Sequence, residues 1–186
     1  LAVNPVTALL AAIALVSYVW VYTPMKQHSP AALLVGAIPG AMPPLMGWTA
    51  VTGRIEWPGL ALFAIMFVWQ IPHFIAISIY RRREYEKAGI VTLPTRRGPV
   101  IARRHLVAWA AVLIPTSLAL VPLDVAGPIY GAIATLLGLV FVAWGLRGAR
   151  DPNTGRWARQ VFLYSLVYVT VLFAALLIDA GPNRLL

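Results

Sequence analysis

The first position that suggests chemistry is a histidine inside an apolar segment. The motif WQIPHF occupies residues 69–74, and His73 precedes Arg81 by eight residues, which on a helix is about 12 Å. Polar groups at membrane depth are costly and usually have a specific role. Two interpretations are open: a hydrogen bond to a neighbouring helix, or a proton relay or a ligand contact, including one to iron, in a cavity.

The residues around His73 indicate how it is positioned. Trp69 precedes it by four residues, so the two side chains share one face of a helix. Pro72 removes a backbone donor, which predicts a kink toward a polar cavity. Gln70 lies on a different face and is interpreted as a packing contact between helices.

A second unusual segment is GAIPGAMPPLMGW, at residues 36–48. Gly36 and Gly40 form a pair of small residues suited to close helix contact. Pro39, Pro43 and Pro44 predict an irregular helix, which is tolerable where the loosened backbone faces protein or a cavity. Packing alone is the favoured interpretation of this segment.

A third segment, YRRREYEKAGIVTLPTRRG at residues 80–98, mixes many cations with Glu84 and Glu86. Carboxylate oxygens can hold Mg²⁺ while arginines neutralise phosphate oxygens, so the mixture suits a metal-bridged phosphate. The same composition is also typical of an ordinary solvated loop, and the residues alone leave both interpretations open.

The composition places these segments in a membrane protein. Hydrophobic residues make up 60% of the 186 residues and charged residues 11%, whereas soluble domains carry roughly a quarter charged residues. The chain contains no cysteine, which excludes disulfides, thiolate metal sites and cysteine nucleophiles. The net charge of +9 comes from basic residues clustered between apolar spans, which indicates membrane topology and no nucleic-acid partner.

Six apolar stretches predict about six transmembrane helices in an all-α, polytopic helix bundle. No linker or repeat separates them, so residues 1–186 are predicted to form a single membrane domain. The stretches are residues 6–22, 31–48, 58–80, 105–121, 128–146 and 157–178.

The charges of the loops predict the orientation. Thirteen of the fifteen basic residues fall in alternate loops on one face, leaving only Arg54 and Arg184 for the other. The positive-inside rule makes the first face cytoplasmic. Arg54 and Asp124 are then expected outside.

Five strings of residues resemble one enzyme family. They are YTPMK at 22–26, GAIPGAMPPLMGWTAVTG at 36–53, WQIPHF at 69–74, YR-x-x-E-Y-x-x-AG…LP at 80–94, and ARQVFLYSLVYVTVLF at 158–173. Together they resemble the protohaem IX farnesyltransferases, or haem O synthases, of the intramembrane aromatic prenyltransferase superfamily. The resemblance covers almost the whole chain.

The resemblance implies a fold of about nine transmembrane helices in a bacterial inner membrane. It implies transfer of a farnesyl group from farnesyl diphosphate to a vinyl group of haem b, giving haem O, with Mg²⁺ bound between two acidic motifs. The first of these motifs is absent from the sequence. We therefore expect this chain to be the C-terminal two-thirds of such an enzyme, lacking its N-terminal helices and inactive alone.

The resemblance also implies roles for individual residues. Glu84 stands where the family commonly has Asp, while Val91 and Thr92 replace its usual Pro-Met. His73 and Glu84 are expected to be catalytic, with Glu84 also a metal ligand. The residues expected to bind substrate are Lys26, Trp69, Arg81, Tyr85 and Arg96.

Two alternatives remain at this point. A quinone-type prenyltransferase of the same superfamily would accept an aromatic ring in place of haem, and WQIPHF argues mildly against it. A transporter or assembly factor with a polar cavity would explain His73 and the proline-rich second span, but not the mixed-charge segment.

Overall fold

The computed structural model describes residues 3–148 and 154–179, and every regular element in these two ranges is a helix. This confirms the all-α prediction. The seven helices are α1 (Pro5–Met25), α2 (Ala32–Thr52), α3 (Trp57–Tyr80), α4 (Arg82–Lys87), α5 (Leu93–Leu118), α6 (Pro128–Arg147) and α7 (Thr154–Asp179).

Five of these helices, α1, α2, α3, α6 and α7, are long and apolar enough to cross a membrane. They confirm five of the six predicted spans, and the chain is a multi-pass membrane protein. The sixth predicted span, residues 105–121, falls largely within α5. That helix does not meet the same standard of apolarity, because Arg103, Arg104 and His105 lie inside it. One face of its later part is nevertheless buried in the bundle core, where Leu106 and Leu113 are fully enclosed.

Local sequence signals explain where the helices begin and end. The Asn4 side chain accepts a hydrogen bond from the backbone N–H of Thr7 and so caps the start of α1. Thr92 and Thr95 exchange hydrogen bonds in a capping box at the start of α5. Gly53, with φ of 71°, ends α2 in the left-handed region that glycine adopts without strain.

Helix α3 is the centre of the bundle, because it packs against α2, α5 and α7. Side chains on several of its faces are buried, including Ile65, Ile71 and Ile75. A helix that is apolar all round can be enclosed in this way, and its sequence then carries little information about which face meets which neighbour.

The prolines of α2 do not interrupt it. We expected Pro39, Pro43 and Pro44 to prevent a regular helix, and this was wrong, because the helix runs unbroken from Ala32 to Thr52. Each proline removes one N–H donor and frees the carbonyl one turn earlier while keeping a helical φ. Two of the residues with a freed carbonyl, Pro39 and Gly40, line the cavity described below, where an unpaired carbonyl is tolerable.

Three basic segments lie at the same end of the bundle. The Lys26 carbonyl oxygen, just after α1, accepts a hydrogen bond of 3.3 Å from the Val91 N–H, just before α5. The Arg103 guanidinium in α5 donates a hydrogen bond of 3.0 Å to the Gly148 carbonyl oxygen, just after α6. The loops that the charge count placed on one face are thus joined. Arg150 and Arg184, which that count also used, lie outside the described residues.

Candidate functional site

A cavity of about 730 Å³ is lined by residues from several helices. It lies between α1, α2, α3 and the segment that joins α4 to α5. Most of its lining is apolar and includes Leu15, Leu33, Pro39, Phe74, Ile90 and Leu93. Its polar lining consists of Tyr18, Tyr22, Lys26, Gln70, Ser78, Tyr85 and Thr92. The cavity thus suits a molecule with a long apolar part and a polar end.

A π-helical turn shapes the α1 wall of this cavity. Residues Ser17–Tyr22 form one π-helical segment, a distortion that is frequent at functional sites. Within it, Tyr18 and Tyr22 place their ring centroids 5.3 Å apart, and both residues line the cavity. Nothing in the sequence alone singled out these two tyrosines as cavity residues, although Tyr22 begins the YTPMK string.

A smaller cavity of about 360 Å³ adjoins the first. It lies between the end of α3, helix α4 and Phe162 of α7, and its polar lining is Tyr80, Arg81, Glu84 and Tyr85. Tyr85 and Ile90 line both cavities. The structure therefore brings Lys26, Arg81, Glu84 and Tyr85, four of the predicted site residues, around two neighbouring cavities.

The charges at the smaller cavity are paired. Arg81 Nη1 lies 2.8 Å from Glu84 Oε2, and Arg82 Nε lies 2.8 Å from Glu86 Oε1. The two pairs are alike in distance, but of the four residues only Arg81 and Glu84 line the cavity. Because both pairs are about half exposed, they add little to stability.

Tyr85 lines both cavities, and its hydroxyl group can donate a hydrogen bond. Burial raises the pKa of its phenol above the usual value, the nearby Arg81 cation opposes that rise, and the Glu84 carboxylate adds to it. The phenol is therefore protonated at neutral pH. A protonated phenol that lines both cavities can donate to an anion in either one.

One face of α3 lines the large cavity, and another is turned toward α7. Gln70, Phe74 and Ser78, spaced four residues apart, line the large cavity. One residue before each of the last two, His73 and Ile77 lie on the face turned toward α7, and Ile77 lines the smaller cavity. Gln70, interpreted from sequence as a packing residue, therefore also contributes a polar group to the large cavity.

His73 forms the hydrogen bond to a neighbouring helix that was one of its two predicted interpretations. Its Nδ1 lies 2.7 Å from Ser165 Oγ on α7. Trp69 Nε1 donates a hydrogen bond of 2.8 Å to the Ser165 carbonyl oxygen, and the Trp69 and His73 rings stack with centroids 4.7 Å apart. Neither residue lines the two cavities. A further role of His73 in proton transfer or ligand contact stays a prediction.

Of the remaining residues named from the sequence, two glycines line the large cavity and one arginine lies away from both cavities. Gly36 and Gly40 both line the large cavity and allow close approach: a β-carbon on Gly36 would lie 2.6 Å from the Tyr22 ring, and one on Gly40 would collide with Gln70. Arg96 is exposed and lines neither cavity, so the structure does not bring it to the others.

The described residues do not by themselves form a magnesium site. In the two described ranges, no group of three or more His, Cys, Asp or Glu side chains could hold a metal ion. Among the described residues, Glu84 is the one carboxylate that lines either cavity, and Arg81 pairs with it. Mg²⁺ prefers a near-octahedral set of oxygens, which a single carboxylate does not supply. Glu84 as a metal ligand stays a prediction.

Comparison with known proteins finds relatives named protoheme IX farnesyltransferase. The chain is 54% identical to a protoheme IX farnesyltransferase of Sorangium cellulosum over 96% of its own length and 64% of the relative. It is 54% identical to one of Anaeromyxobacter over 97% of its length and 60% of the relative. A third, of Myxococcus xanthus, is 50% identical over 99% and 63%. The chain thus spans less than two thirds of the length of these curated relatives.

A solved structure shows the same fold. The structure is described as giving insights into the biosynthesis of digeranylgeranylglyceryl phosphate synthase in membranes, and it matches with a TM-score of 0.82 at 16% identity. The match covers 96% of this chain and 62% of that one. The sequence model of the UbiA prenyltransferase family matches residues 1–167, which confirms the resemblance found in the motifs. This chain belongs to the UbiA prenyltransferase family.

Proposed function

We propose that this chain is part of an enzyme that transfers a farnesyl group from farnesyl diphosphate to a vinyl group of haem b, giving haem O. The names of the relatives support this reaction. The structural observation that carries it is the junction at Tyr85 and Ile90, where a large apolar cavity adjoins a smaller one lined by Arg81 and Glu84.

The large cavity holds the isoprenoid chain. Its volume of about 730 Å³ and its mostly apolar walls match a hydrocarbon that leaves lipid or water to bind. Phe74 and Tyr18 supply aromatic faces in this cavity. Such faces stabilise the allylic cation that develops when the carbon–oxygen bond of the diphosphate ester breaks.

The diphosphate lies at the junction of the cavities. Lys26 and Arg81 neutralise its oxygens, and the protonated Tyr85 donates a hydrogen bond to it. The electron pair of the breaking bond leaves with the diphosphate, so these donors stabilise charge where it develops. Mg²⁺ stays an expectation from the resemblance, and the stabilising groups named here are side chains of this chain.

Haem b is the acceptor. The electron-rich vinyl group attacks the allylic cation, and addition of water followed by loss of a proton completes the hydroxyethylfarnesyl product. His73 lies on the α3 face that continues through Ile77 to the smaller cavity, about two helical turns or 12 Å from Arg81. It either contacts the haem iron or handles a proton, and both roles suit an imidazole.

The protein is proposed to lie in the bacterial inner membrane with its basic segments in the cytoplasm. The hydrogen bonds that join Lys26 to Val91 and Arg103 to Gly148 support a shared side for these segments. The positive-inside rule supports the cytoplasmic side.

Product analysis tests the reaction. The chain, extended to the full length of its relatives, would be supplied with farnesyl diphosphate and either haem b or an aromatic quinone precursor. Mass spectrometry should find a farnesylated haem and no prenylated quinone precursor. Prenylation of the quinone precursor alone would support the quinone-type alternative. Haem binding without any transfer would support the transporter or assembly factor.

A further inference from the structure

Ser165 receives two side chains of α3 at once. It lies on α7 and is fully buried. Its carbonyl oxygen accepts the hydrogen bond from Trp69 Nε1 at 2.8 Å, and its hydroxyl oxygen lies 2.7 Å from His73 Nδ1. This serine is not among the predicted site residues and lines neither cavity. Its contacts nevertheless determine which ring nitrogen of His73 carries the proton.

The single hydroxyl hydrogen of Ser165 decides which way the bond to His73 runs. Ser165 Oγ lies 2.6 Å from the Phe162 carbonyl oxygen. A carbonyl oxygen cannot donate, so the serine hydrogen must lie on that line, because two acceptors at such a distance would otherwise repel. His73 Nδ1 must then donate to Ser165 Oγ. In a neutral imidazole this leaves the lone pair on Nε2.

The other ring nitrogen of His73 is open. No described residue forms a hydrogen bond with Nε2. In the described ranges, no buried side-chain nitrogen or oxygen lacks a partner, so the unbonded Nε2 must reach accessible space. The ring cannot turn away easily, because it is stacked on Trp69 at 4.7 Å and contacts Phe162 at a centroid distance of 5.0 Å.

We infer that Ser165 is a positioning residue that holds neutral His73 with its proton on Nδ1 and presents Nε2 to the iron of the haem substrate. A fixed tautomer with the second nitrogen hydrogen-bonded is the arrangement by which proteins orient imidazole for metals. The identity of the ligand rests on the proposed function, whereas the tautomer and the role of Ser165 in setting it do not.

The tautomer is tested first, without any ligand. The chain would be labelled with ¹⁵N-histidine, purified in detergent and studied by NMR at a pH where imidazole is neutral, with the His73 signals assigned by their loss in His73→Asn. A protonated-type shift at Nδ1 and an unprotonated-type shift at Nε2 are expected. If the unsubstituted protein gave the reverse pattern, or an equal mixture of the two tautomers, the inference would be overturned.

Substitutions then test whether Ser165 sets this state. Ser165→Ala should give a mixture of both tautomers, and Ser165→Thr, which keeps a hydroxyl, should restore the single one. Ser117→Ala is the matched control, since Ser117 is equally buried and bonds Tyr168 instead. An unchanged tautomer in Ser165→Ala would reduce the serine to a packing role.

Haem titration tests the ligand. Ferric haem would be added to the chain with His28 and His105, both exposed, replaced by glutamine, so that His73 is the one histidine left. An imidazole-ligated Soret spectrum is expected, with affinity reduced about ten- to a hundredfold by Ser165→Ala and unchanged by Ser117→Ala. A fixed Nδ1–H tautomer with no imidazole-ligated spectrum would overturn the iron contact, and with it this part of the proposed function, but leave the positioning role standing.

Discussion

The Gln70 side chain occupies the space that a β-carbon on Gly40 would need. Its Nε2 donates to the carbonyl oxygens of Ala37 and Met66, at 3.4 and 3.1 Å. Gln70 is thus held between α2 and α3 at the wall of the large cavity. The absence of a side chain at Gly40 is what lets a buried amide reach that wall.

Gly40→Ala should destabilise the protein and disturb the large cavity, because the new methyl group must displace Gln70. Overpacking of this kind costs about 1–3 kcal/mol, measurable as a lower free energy of unfolding in detergent. Gly47→Ala on the same helix is the control. A β-carbon there meets nothing within 4 Å, and alanine favours a helix by up to about 1 kcal/mol. Equal losses from both substitutions would contradict the proposed contact.

Arg81→Ala and Glu84→Ala should weaken the use of prenyl diphosphate more than the binding of haem. Arg81 and Glu84 line the smaller cavity, and a charge-assisted contact contributes roughly 1.5–3 kcal/mol, about ten- to a hundredfold in affinity. The chain extended to full length would be assayed for KM with farnesyl diphosphate and for haem affinity. Arg82→Ala is the control, because its ion pair has the same length but lies outside both cavities. Similar effects at all three positions would favour an ordinary solvated loop.

His73→Ala should impair the use of haem while the protein stays inserted and folded. The substitution removes one hydrogen bond to Ser165 and a ring stack, whereas the surrounding apolar contacts of α3 remain. Haem spectra and turnover of the full-length form would be measured beside His105→Ala, which replaces an exposed histidine. An unchanged haem spectrum with full turnover would leave His73 a structural residue.

Cysteine labelling should place the segment from Arg81 to Arg104 in the cytoplasm. The chain has no cysteine of its own, so Lys87→Cys and Arg54→Cys each introduce a single thiol at an exposed position. In spheroplasts, a reagent that cannot cross membranes should label position 54 and spare position 87, because the basic segments stay inside. Labelling at 87 alone would reverse the proposed orientation.

The 186-residue chain alone should not catalyse prenyl transfer. Leaving-group stabilisation supplies much of such catalysis, and among the described residues only one carboxylate, Glu84, lines a cavity. Arginines alone can still bind diphosphate weakly, so binding and turnover need separate assays. Co-expression with the part of a relative that this chain does not span should restore activity if the two associate. Robust Mg²⁺-dependent farnesylation of haem by the purified chain would refute the argument.

The sequence by itself determined that this is a membrane protein and where most of its helices lie. It also determined four of the residues that line the two cavities. Hydropathy is a property of each segment alone, so the apolar spans appear as helices at the predicted places. The predicted residues Lys26, Arg81, Glu84 and Tyr85 could be identified because matching strings carry them, and the structure places all four at the two cavities. In α5, arginines are mixed with apolar residues. The hydropathy of this segment is therefore lower than that of the other spans, although a long helix forms there.

Only the tertiary structure decided which face of α3 meets which neighbour. Spacing showed that Trp69 and His73 share a face and that Gln70 lies on another, but α3 is apolar nearly all round and enclosed by α2, α5 and α7. Periodicity therefore could not say that Gln70 lines the large cavity while His73 bonds Ser165, a residue 92 positions along the chain. Contacts between such distant residues depend on how helices pack side by side, and that packing is set by the shapes of all the surfaces together.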